Sequence, residues 1–150
     1  VYYDFAESFF AGQERVLERT VFDSIYDRFD GHTWYIQAIL NRLYGYSVAI
    51  DSATVDFAIR EIVEESTYAY ENLLAAYPIG SVRLLKAIAR EGCVKEISAG
   101  EFIAKYKLRA ASSVSSAIKK LFANELVYKT QNGYIVYDRF LNEWLRSQAF

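Results

Sequence analysis

The spacing of apolar residues changes once along this chain, close to its only proline, Pro78. Before Pro78 the apolar residues recur every three or four positions, which is typical of amphipathic helices. After it, short helical patterns lead to two alternating stretches, 127–130 and 134–137, which flank an Asn-Gly turn at 131–133. Asn-Gly between alternating segments is a strong local signal for a β-hairpin. We therefore expect a helical first half and a mixed second half, with a boundary near Tyr77.

In the first half the spacing predicts four helices. The first contains Phe5, the second ends at Asp30-Gly31, the third runs from about Thr33 to Gly45, and a long fourth helix runs from Ser52 toward Leu74. Glycine ends a helix at little cost because it readily adopts the left-handed cap conformation. The second and third helices are expected to share one core, which contains Phe22, Ile25, Phe29, Tyr35, Ile36, Ile39, Leu40 and Leu43.

The second half is predicted to contain a run of short elements. A helix ends at Gly92, a short strand covers 94–97, and Ser98 begins a helix because Ser98 and Glu101 have capping-box spacing. Another helix starts near Ser112, the hairpin follows, and Asp138 caps a last helix. Helix, strand, helix, helix and hairpin is the order of a winged helix, whose second and third helices form a helix-turn-helix. Residues 79–138 are therefore predicted to form one winged helix.

Charge is divided unequally between the two halves. Residues 78–150 hold 12 Lys+Arg against 6 Asp+Glu, a net of +6, and residues 1–77 hold 5 against 13, a net of −8. A basic half within a chain of net charge −2 is typical of a nucleic-acid-binding surface, here one for double-stranded DNA. The same excess of Lys and Arg would result from a basic face that is only solvated, or from one that docks on the acidic half of the chain. A role in binding a partner protein therefore stays open.

The third helix of a winged helix is the one that enters a DNA groove. Its outward positions carry small hydroxyls and lysines, which hydrogen-bond or neutralise phosphates. With the hairpin, the predicted DNA-binding residues are Ser112, Ser113, Ser115, Ser116, Lys119, Lys120, Lys129 and Asn132. The first two turns of this helix lack the Arg, Gln or Asn that make specific base contacts, and the hairpin tip is uncharged. The alternatives are a protein-docking module without DNA binding and a free-standing winged-helix transcription regulator.

The residue types of catalytic and metal sites are scarce. His32 is the only histidine and Cys93 the only cysteine, so no metal site or catalytic dyad is predicted. We expect His32 to cap a helix or lie in the core, and Cys93 to be buried. A solvated face is expected for Glu61, Glu64, Glu65 and Glu71. Since no Gly-x-x-x-x-Gly-Lys-Ser/Thr phosphate loop occurs, the chain is predicted to be non-enzymatic and to hold no cofactor of its own.

Composition also indicates the cellular environment of the chain. No apolar run is long enough to span a bilayer and no signal-peptide pattern occurs, so we expect no membrane partner. A single cysteine favours the reducing cytoplasm. The 13 Tyr and 10 Phe exceed what a core of this size needs, so some aromatic surface is expected to meet another domain. The chain lacks Met and opens inside a helical pattern, which favours a fragment of a longer protein.

Four stretches of the chain carry a family resemblance: 27–37 (DRFDGHTWYIQ), 84–89 (LLKAIA), 111–121 (ASSVSSAIKKL) and 137–146 (YDRFLNEWLR). In this order they resemble the C-terminal region of archaeal-type AAA+ ATPases close to the STAND class of signalling ATPases. The resemblance implies a parent protein with an ATPase core, then a helical lid bundle, then a winged helix. Residues 1–50 would be the lid, 51–77 a connecting helix and 78–150 the winged-helix domain. The ATPase core would precede this chain, and ATP would be the cofactor of the parent.

The lid of that family carries a Gly-x-Pro motif whose proline faces the nucleotide base. Gly31-His32-Thr33 lies at the matching place: Gly31 matches, His32 is the middle residue, and Thr33 departs from the proline. The resemblance implies that these three residues lie near the nucleotide in the parent. A helix that begins there also directs free backbone N–H groups toward an anion. The implied function is to couple the nucleotide state to a winged helix that binds DNA or a partner protein.

Overall fold

The computed structural model of the protein describes residues 1–150, which are mainly α-helical with one small β-hairpin. Its helices and strands divide into two compact units, Val1–Glu65 and Ser66–Phe150. The first unit contains α1 (Tyr2–Ala11), α2 (Arg19–Arg28), α3 (Thr33–Tyr44) and α4 (Ser52–Glu65). The second contains α5 (Thr67–Ala75), α6 (Ile79–Glu91), α7 (Gly100–Lys105), α8 (Ala111–Ala123), β1 (Val127–Thr130), β2 (Gly133–Val136) and α9 (Arg139–Ser147).

The core of the first unit follows the predicted apolar stripes. Tyr35 is half-buried, and its ring stacks on Phe29 with 5.6 Å between ring centroids. The other seven residues predicted for this core are buried: Phe22, Ile25, Phe29, Ile36, Ile39, Leu40 and Leu43. Helix α4 packs against α3 and adds Val55, Ile59 and Val63 to the buried set. The prediction of a shared helical core is confirmed.

The long helix predicted from Ser52 is two helices, because the helix is interrupted at Ser66. Helix α5 belongs to the second unit, where the indole N–H of Trp144 donates to Thr67 Oγ1 at 3.1 Å. The Trp144 ring also contacts Tyr70, with 5.5 Å between centroids. These contacts tie α5 to α9. They explain why the compact units divide after Glu65, whereas the sequence placed the domain boundary near Tyr77.

Helix α6 is the centre of the second unit. Pro78 occupies the N-cap position, and Gly92, at φ +79°, ends the helix as predicted. One face of α6 packs against α8, α9 and β2. Its fully buried side chains include Leu84, Leu85 and Ile88. Three other elements of this unit, α8, α9 and β2, therefore take their positions from α6.

The strand predicted at 94–97 is only a single β-bridge between Val94 and Tyr134. The chain then turns toward α7, since the Ala99 N–H donates to the Glu96 carbonyl at 3.0 Å. This turn includes Ser98, so the predicted capping box does not form and α7 begins later, with Ala99 at its N-cap. By contrast, the cap predicted at Asp138 is present: its Oδ1 accepts from the backbone N–H groups of Phe140 and Leu141 at 2.9 and 3.2 Å.

The hairpin formed by residues 127–136, called the wing below, is confirmed as antiparallel. Val127 pairs with Val136 and Thr130 with Gly133, and both valines are buried. In the turn only Gly133 has positive φ, at +136°. A Cβ at Gly133 would lie 2.4 Å from the Val94 carbonyl oxygen, so the close approach of the two backbones requires glycine.

Three helices end at a left-handed residue that is not glycine. After α8 the Leu126 N–H donates to the Leu121 carbonyl and the Glu125 N–H to the Phe122 carbonyl, which is the Schellman pattern. Glu125 occupies the left-handed position at φ +59°. The same position after α2 and α7 is taken by Asp30 at φ +52° and Lys107 at φ +50°. Glycine was therefore an incomplete guide to where helices end in this chain.

Candidate nucleic-acid interface

Helix α8 has a buried side and an exposed side. Val114, Ile118 and Leu121 recur at helical spacing and are buried, and α8 packs against α6. The opposite side of an amphipathic helix then faces solvent. Its C-terminus is fixed by Asn124, whose side-chain amide donates to the Lys120 carbonyl at 2.9 Å. The sequence of α8 therefore fixes which residues a ligand would meet.

All but one of the predicted DNA-binding residues are exposed. Ser115 is half-buried. The exposed ones are Ser112, Ser113, Ser116, Lys119 and Lys120 on α8, and Lys129 and Asn132 on the wing. The Ser116 hydroxyl donates to the Ser112 carbonyl at 3.1 Å, so its oxygen remains able to accept. The structure thus gathers five of these residues on one helix, and α8 packs against β1 of the wing.

Two of the lysines rest on aromatic rings. The Lys120 ammonium lies 5.5 Å from the centroid of the Tyr77 ring, and the Lys129 ammonium lies 5.3 Å from that of Tyr134. Such cation–π contacts restrain the side chain without neutralising its charge. At the tip of the wing the Asn132 N–H donates to Thr130 Oγ1 at 3.1 Å, and the Asn132 side chain is exposed.

Part of the positive charge of the second unit is used inside the fold. On α6, Lys86 Nζ donates to the Ala149 carbonyl at 3.1 Å and Arg90 Nη2 to the Gln148 carbonyl at 2.9 Å. The Phe150 ring lies near both Arg83 and Arg90, with guanidinium-to-centroid distances of 4.8 and 5.1 Å. These three cations hold the segment that follows α9. The cations of the second unit that are available to a ligand are therefore fewer than the net charge of residues 78–150 suggests.

The outward face of the wing was missed in the sequence and is aromatic. Tyr128 of β1 and Tyr137, which directly follows the wing, are 52% and 60% exposed, and their ring centroids lie 6.3 Å apart. Ile135 pairs with Tyr128 across the hairpin and is half-buried. On α8, Phe122 is also exposed. The alternation of residues 126–130 and 134–137 would have indicated this face, since side chains of a strand alternate between its two sides.

The predicted nucleotide-proximal residues lie at the joint between α2 and α3. Gly31 has φ +69°, and His32 and Thr33 are both exposed. His32 occupies the N-cap position of α3 but makes no side-chain capping bond, and its ring lies 6.1 Å from Tyr35. Of the two roles expected for His32, the capping position is confirmed, although no side-chain bond forms there, and the core position is wrong because the residue is exposed.

One further expectation was wrong: Cys93 is exposed, not buried, because it follows Gly92 in the short link between α6 and Val94. Of the four glutamates expected on a solvated face, Glu64, Glu65 and Glu71 are exposed and Glu61 is half-buried. At this surface Arg42 of α3 makes a bidentate contact with Glu65 at 2.7 and 2.6 Å. No group of three or more His, Cys, Asp or Glu side chains is arranged to hold a metal ion.

The cluster around Arg42 shifts several pKa values. Burial, followed by a hydrogen bond to Glu61, raises the pKa of Tyr46 to about 12. The hydrogen bonds from Arg42 hold the pKa of the Glu65 carboxyl below its ordinary value. Since Glu61 also lies 3.6 Å from the Arg42 guanidinium, the cluster joins α3 to α4. Its position and partners indicate a structural ion-pair network.

Comparison with known proteins identifies the class. A family profile described as "Probable winged helix domain" matches residues 68–147, which include α6 through α9, the wing and all of α5 except Thr67. The chain belongs to this winged-helix family. No curated protein and no solved structure matches the chain. None of the helices combines the length and apolar character that crossing a membrane requires.

Proposed function

We propose that the winged helix binds double-stranded DNA through the exposed side of α8, with Lys129 and Asn132 of the wing beside it. The observation that carries this proposal is the exposure of the serine and lysine side chains on α8, opposite a buried apolar stripe. Small hydroxyls let a helix approach a phosphate backbone closely, and lysines neutralise phosphates. The absence of Arg, Gln or Asn among the exposed residues of the first two turns favours binding with little sequence preference.

The expected affinity is that of non-specific binding. We expect a Kd of roughly 10⁻⁴–10⁻⁶ M at physiological salt. Three or four lysine–phosphate contacts predict a slope of log K against log salt of about −3 to −4, because each contact contributes about −0.9. The test is a titration of the whole chain into a fluorescent duplex of about two helical turns, read by anisotropy between about 50 and 200 mM salt.

Matched charge variants distinguish the contribution of α8 to DNA binding from that of the rest of the surface. Lys119→Ala with Lys120→Ala should flatten the salt slope by about one to two units. Arg60→Ala with Arg146→Ala removes the same charge from exposed positions on α4 and α9 and should leave the slope unchanged. If both double variants change the slope equally, or if the chain shows no binding at low salt, the proposed interface is wrong.

Docking of a partner protein is the second candidate function. It is favoured by the outward aromatic face of the wing, where Tyr128 and Tyr137 are more than half exposed. Exposed aromatic clusters of this kind often mark protein interfaces. Tyr128→Ser with Tyr137→Ser should leave DNA binding within about twofold if α8 alone carries it, since neither side chain is charged. Loss of DNA binding in this variant would contradict the assignment to α8.

For the parent protein we propose an ATP-binding AAA+/STAND-type ATPase in the cytoplasm, in which the first unit serves as the lid. The left-handed Gly31 followed by the exposed start of α3 supports this proposal. Residues 31–33 would lie near the nucleotide, and the winged helix would respond to nucleotide state, while the chain itself remains non-catalytic. The coding sequence upstream of Val1 tests the proposal: it should encode a Gly-x-x-x-x-Gly-Lys-Ser/Thr loop. A different upstream domain would contradict it.

A further inference from the structure

A row of three basic side chains runs along helix α6 of the second unit. Arg83, Lys86 and Arg90 follow the spacing i, i+3, i+7, so they share one face of the helix over two turns. Arg90 is exposed, and Arg83 and Lys86 are half-buried. This set is called the cation row below. It contains none of the α8 and wing residues that are proposed above to bind DNA.

The segment that follows α9 lies across the cation row. The backbone of Gln148 is extended, with φ −79° and ψ 149°, so the chain leaves α9 without continuing the helix. Arg90 Nη2 donates to the Gln148 carbonyl at 2.9 Å, and Lys86 Nζ donates to the Ala149 carbonyl at 3.1 Å. Residues 148–150 are called the strap below. The backbone of the strap therefore supplies two acceptors to the cation row.

The aromatic side chain of the strap packs on both arginines of the row. The centroid of the Phe150 ring lies 4.8 Å from the Arg83 guanidinium and 5.1 Å from that of Arg90. The ring also contacts Tyr106, which follows α7, with 5.3 Å between centroids. Phe150 nevertheless remains 38% exposed. A segment held by one partly exposed ring and two exposed hydrogen bonds opens locally at a low cost in free energy.

The strap covers the cation row without neutralising it. Backbone carbonyls and an aromatic ring carry no net charge, so the three positive charges remain. Arg83 is also incompletely satisfied: its Nη2 donates to the Tyr106 carbonyl at 3.2 Å, but its Nε is buried and has no hydrogen-bond partner. Glu91, the carboxylate next to Arg90 in the sequence, is paired with Lys105. Because hydrogen bonds to an anion are stronger than those to a neutral acceptor, an anion is the better ligand for each member of the row.

The length of the cation row favours an extended polyanion over a single small anion. Arg83 and Arg90 are seven residues apart, which corresponds to about 10 Å along a helix axis. A nucleic-acid backbone presents successive phosphates over that distance, so one strand can meet all three cations. Helix α6 also packs directly against α8, whose exposed side is the proposed DNA interface.

We propose that the strap is an autoinhibitory contact, which competes with the DNA backbone for the cation row of α6. With the strap closed, α6 contributes no phosphate contact. With the strap open, its three cations add to those of α8 and the wing. The proposal rests on DNA as the ligand of the winged helix, but not on α8 as the surface that contacts it. Loosening the strap should therefore strengthen DNA binding and increase its dependence on salt, because more counterions are released.

Phe150→Ala tests the strap, because it removes the ring that packs on Arg83 and Arg90. In anisotropy titrations of the whole chain with the same fluorescent duplex, this variant should bind at least about threefold tighter than the parent chain at about 50 mM salt. The slope of log K against log salt should become more negative by about one to three units, because each new phosphate contact contributes about −0.9. Phe150→Tyr keeps an aromatic ring and should behave like the parent chain. Tyr68→Ala removes a 78% exposed ring from α5 and should also leave both quantities unchanged.

Removing the cations distinguishes competition for the row from a change in the fold. Lys86→Ala with Arg90→Ala should abolish the gain when combined with Phe150→Ala, and alone should leave the slope of the parent chain within about one unit. Far-ultraviolet circular dichroism should show the same helical content in every variant. If the gain survives Lys119→Ala with Lys120→Ala, the strap acts independently of α8, so a failure of the α8 surface is recognised separately. A Phe150→Ala variant that binds like the parent chain, or a gain that persists without Lys86 and Arg90, would overturn the proposal.

Discussion

Val94 and Tyr134 exchange two backbone hydrogen bonds: the Val94 N–H donates to the Tyr134 carbonyl at 2.9 Å, and the Tyr134 N–H donates to the Val94 carbonyl at 2.8 Å. This single bridge gives β2 a neighbour on the edge that does not face β1. A two-stranded hairpin alone is marginally stable in water. The wing is therefore fixed to the segment that follows α6, and its position depends on this pair of residues.

Gly133→Ala tests the attachment of the wing. The new Cβ would lie 2.4 Å from the Val94 carbonyl oxygen, at a φ of +136° that L-residues rarely adopt. We expect a loss of unfolding free energy well above about 1 kcal/mol, measured by urea denaturation. Gly80→Ala is the matched control, since a Cβ there meets nothing within 4 Å. A Gly133 variant as stable as the control would contradict the close approach of the two backbones.

Glu125→Gly tests the left-handed helix end after α8. Glu125 has φ +59°, a conformation that costs an L-residue roughly 1–2 kcal/mol and glycine very little. The substitution should therefore raise the midpoint of thermal unfolding, with a gain of about 1 kcal/mol. Ala123→Gly introduces the same residue at the last position of α8 and should instead destabilise by up to about 1 kcal/mol. If both variants lose stability, the Schellman geometry is wrong.

Glu91 predicts a specific pH dependence of stability. Hydrogen bonds from Lys105 and then Tyr106 hold the pKa of the Glu91 carboxyl below its ordinary value. A group whose folded pKa is lowered stabilises the fold above its unfolded pKa, and this contribution disappears as pH falls through the folded pKa.

Glu91→Gln should therefore be less stable than the parent chain at about pH 7, and this deficit should shrink as the pH falls below about 4. The difference should stay below about 1 kcal/mol, since the pair is near the surface. Chemical denaturation at neutral and at acid pH measures it, and Glu96→Gln, at another exposed position of the same unit, serves as the control. A deficit that persists unchanged at acid pH would show that the ion pair is not its cause.

Local signals in the sequence predicted the parts of the fold that depend on neighbouring residues. The wing follows from alternation around Asn132-Gly133, and α9 follows from the Asp138 cap. Features that depend on distant residues were missed. The break at Ser66 accompanies the contact of α5 with Trp144, and the reduction of the predicted strand to Val94 reflects a turn that begins at Glu96.

The contrast between features set by neighbouring residues and features set by distant residues also applies to the candidate interface. The exposure of the α8 serines follows from helical periodicity, because Val114, Ile118 and Leu121 fix the buried side. The engagement of Arg83 and Arg90 by Phe150 could not be predicted, since it depends on how the segment after α9 folds back on α6. Counting charge along a sequence cannot separate cations that hold the fold from cations that are free to meet a ligand.

Nuclear magnetic resonance of the isotope-labelled whole chain, titrated with duplex DNA at low salt, tests the central proposal most directly. If α8 is the interface, backbone amide shifts should move progressively at Ser112, Ser113, Ser116 and Lys119, with smaller changes at Lys129 and Asn132. The amides of α1 should remain unchanged, because residues 1–77 carry a net charge of −8. Shifts confined to the outward face of the wing around Tyr128 and Tyr137, or no shifts at any DNA concentration, would contradict DNA binding by α8.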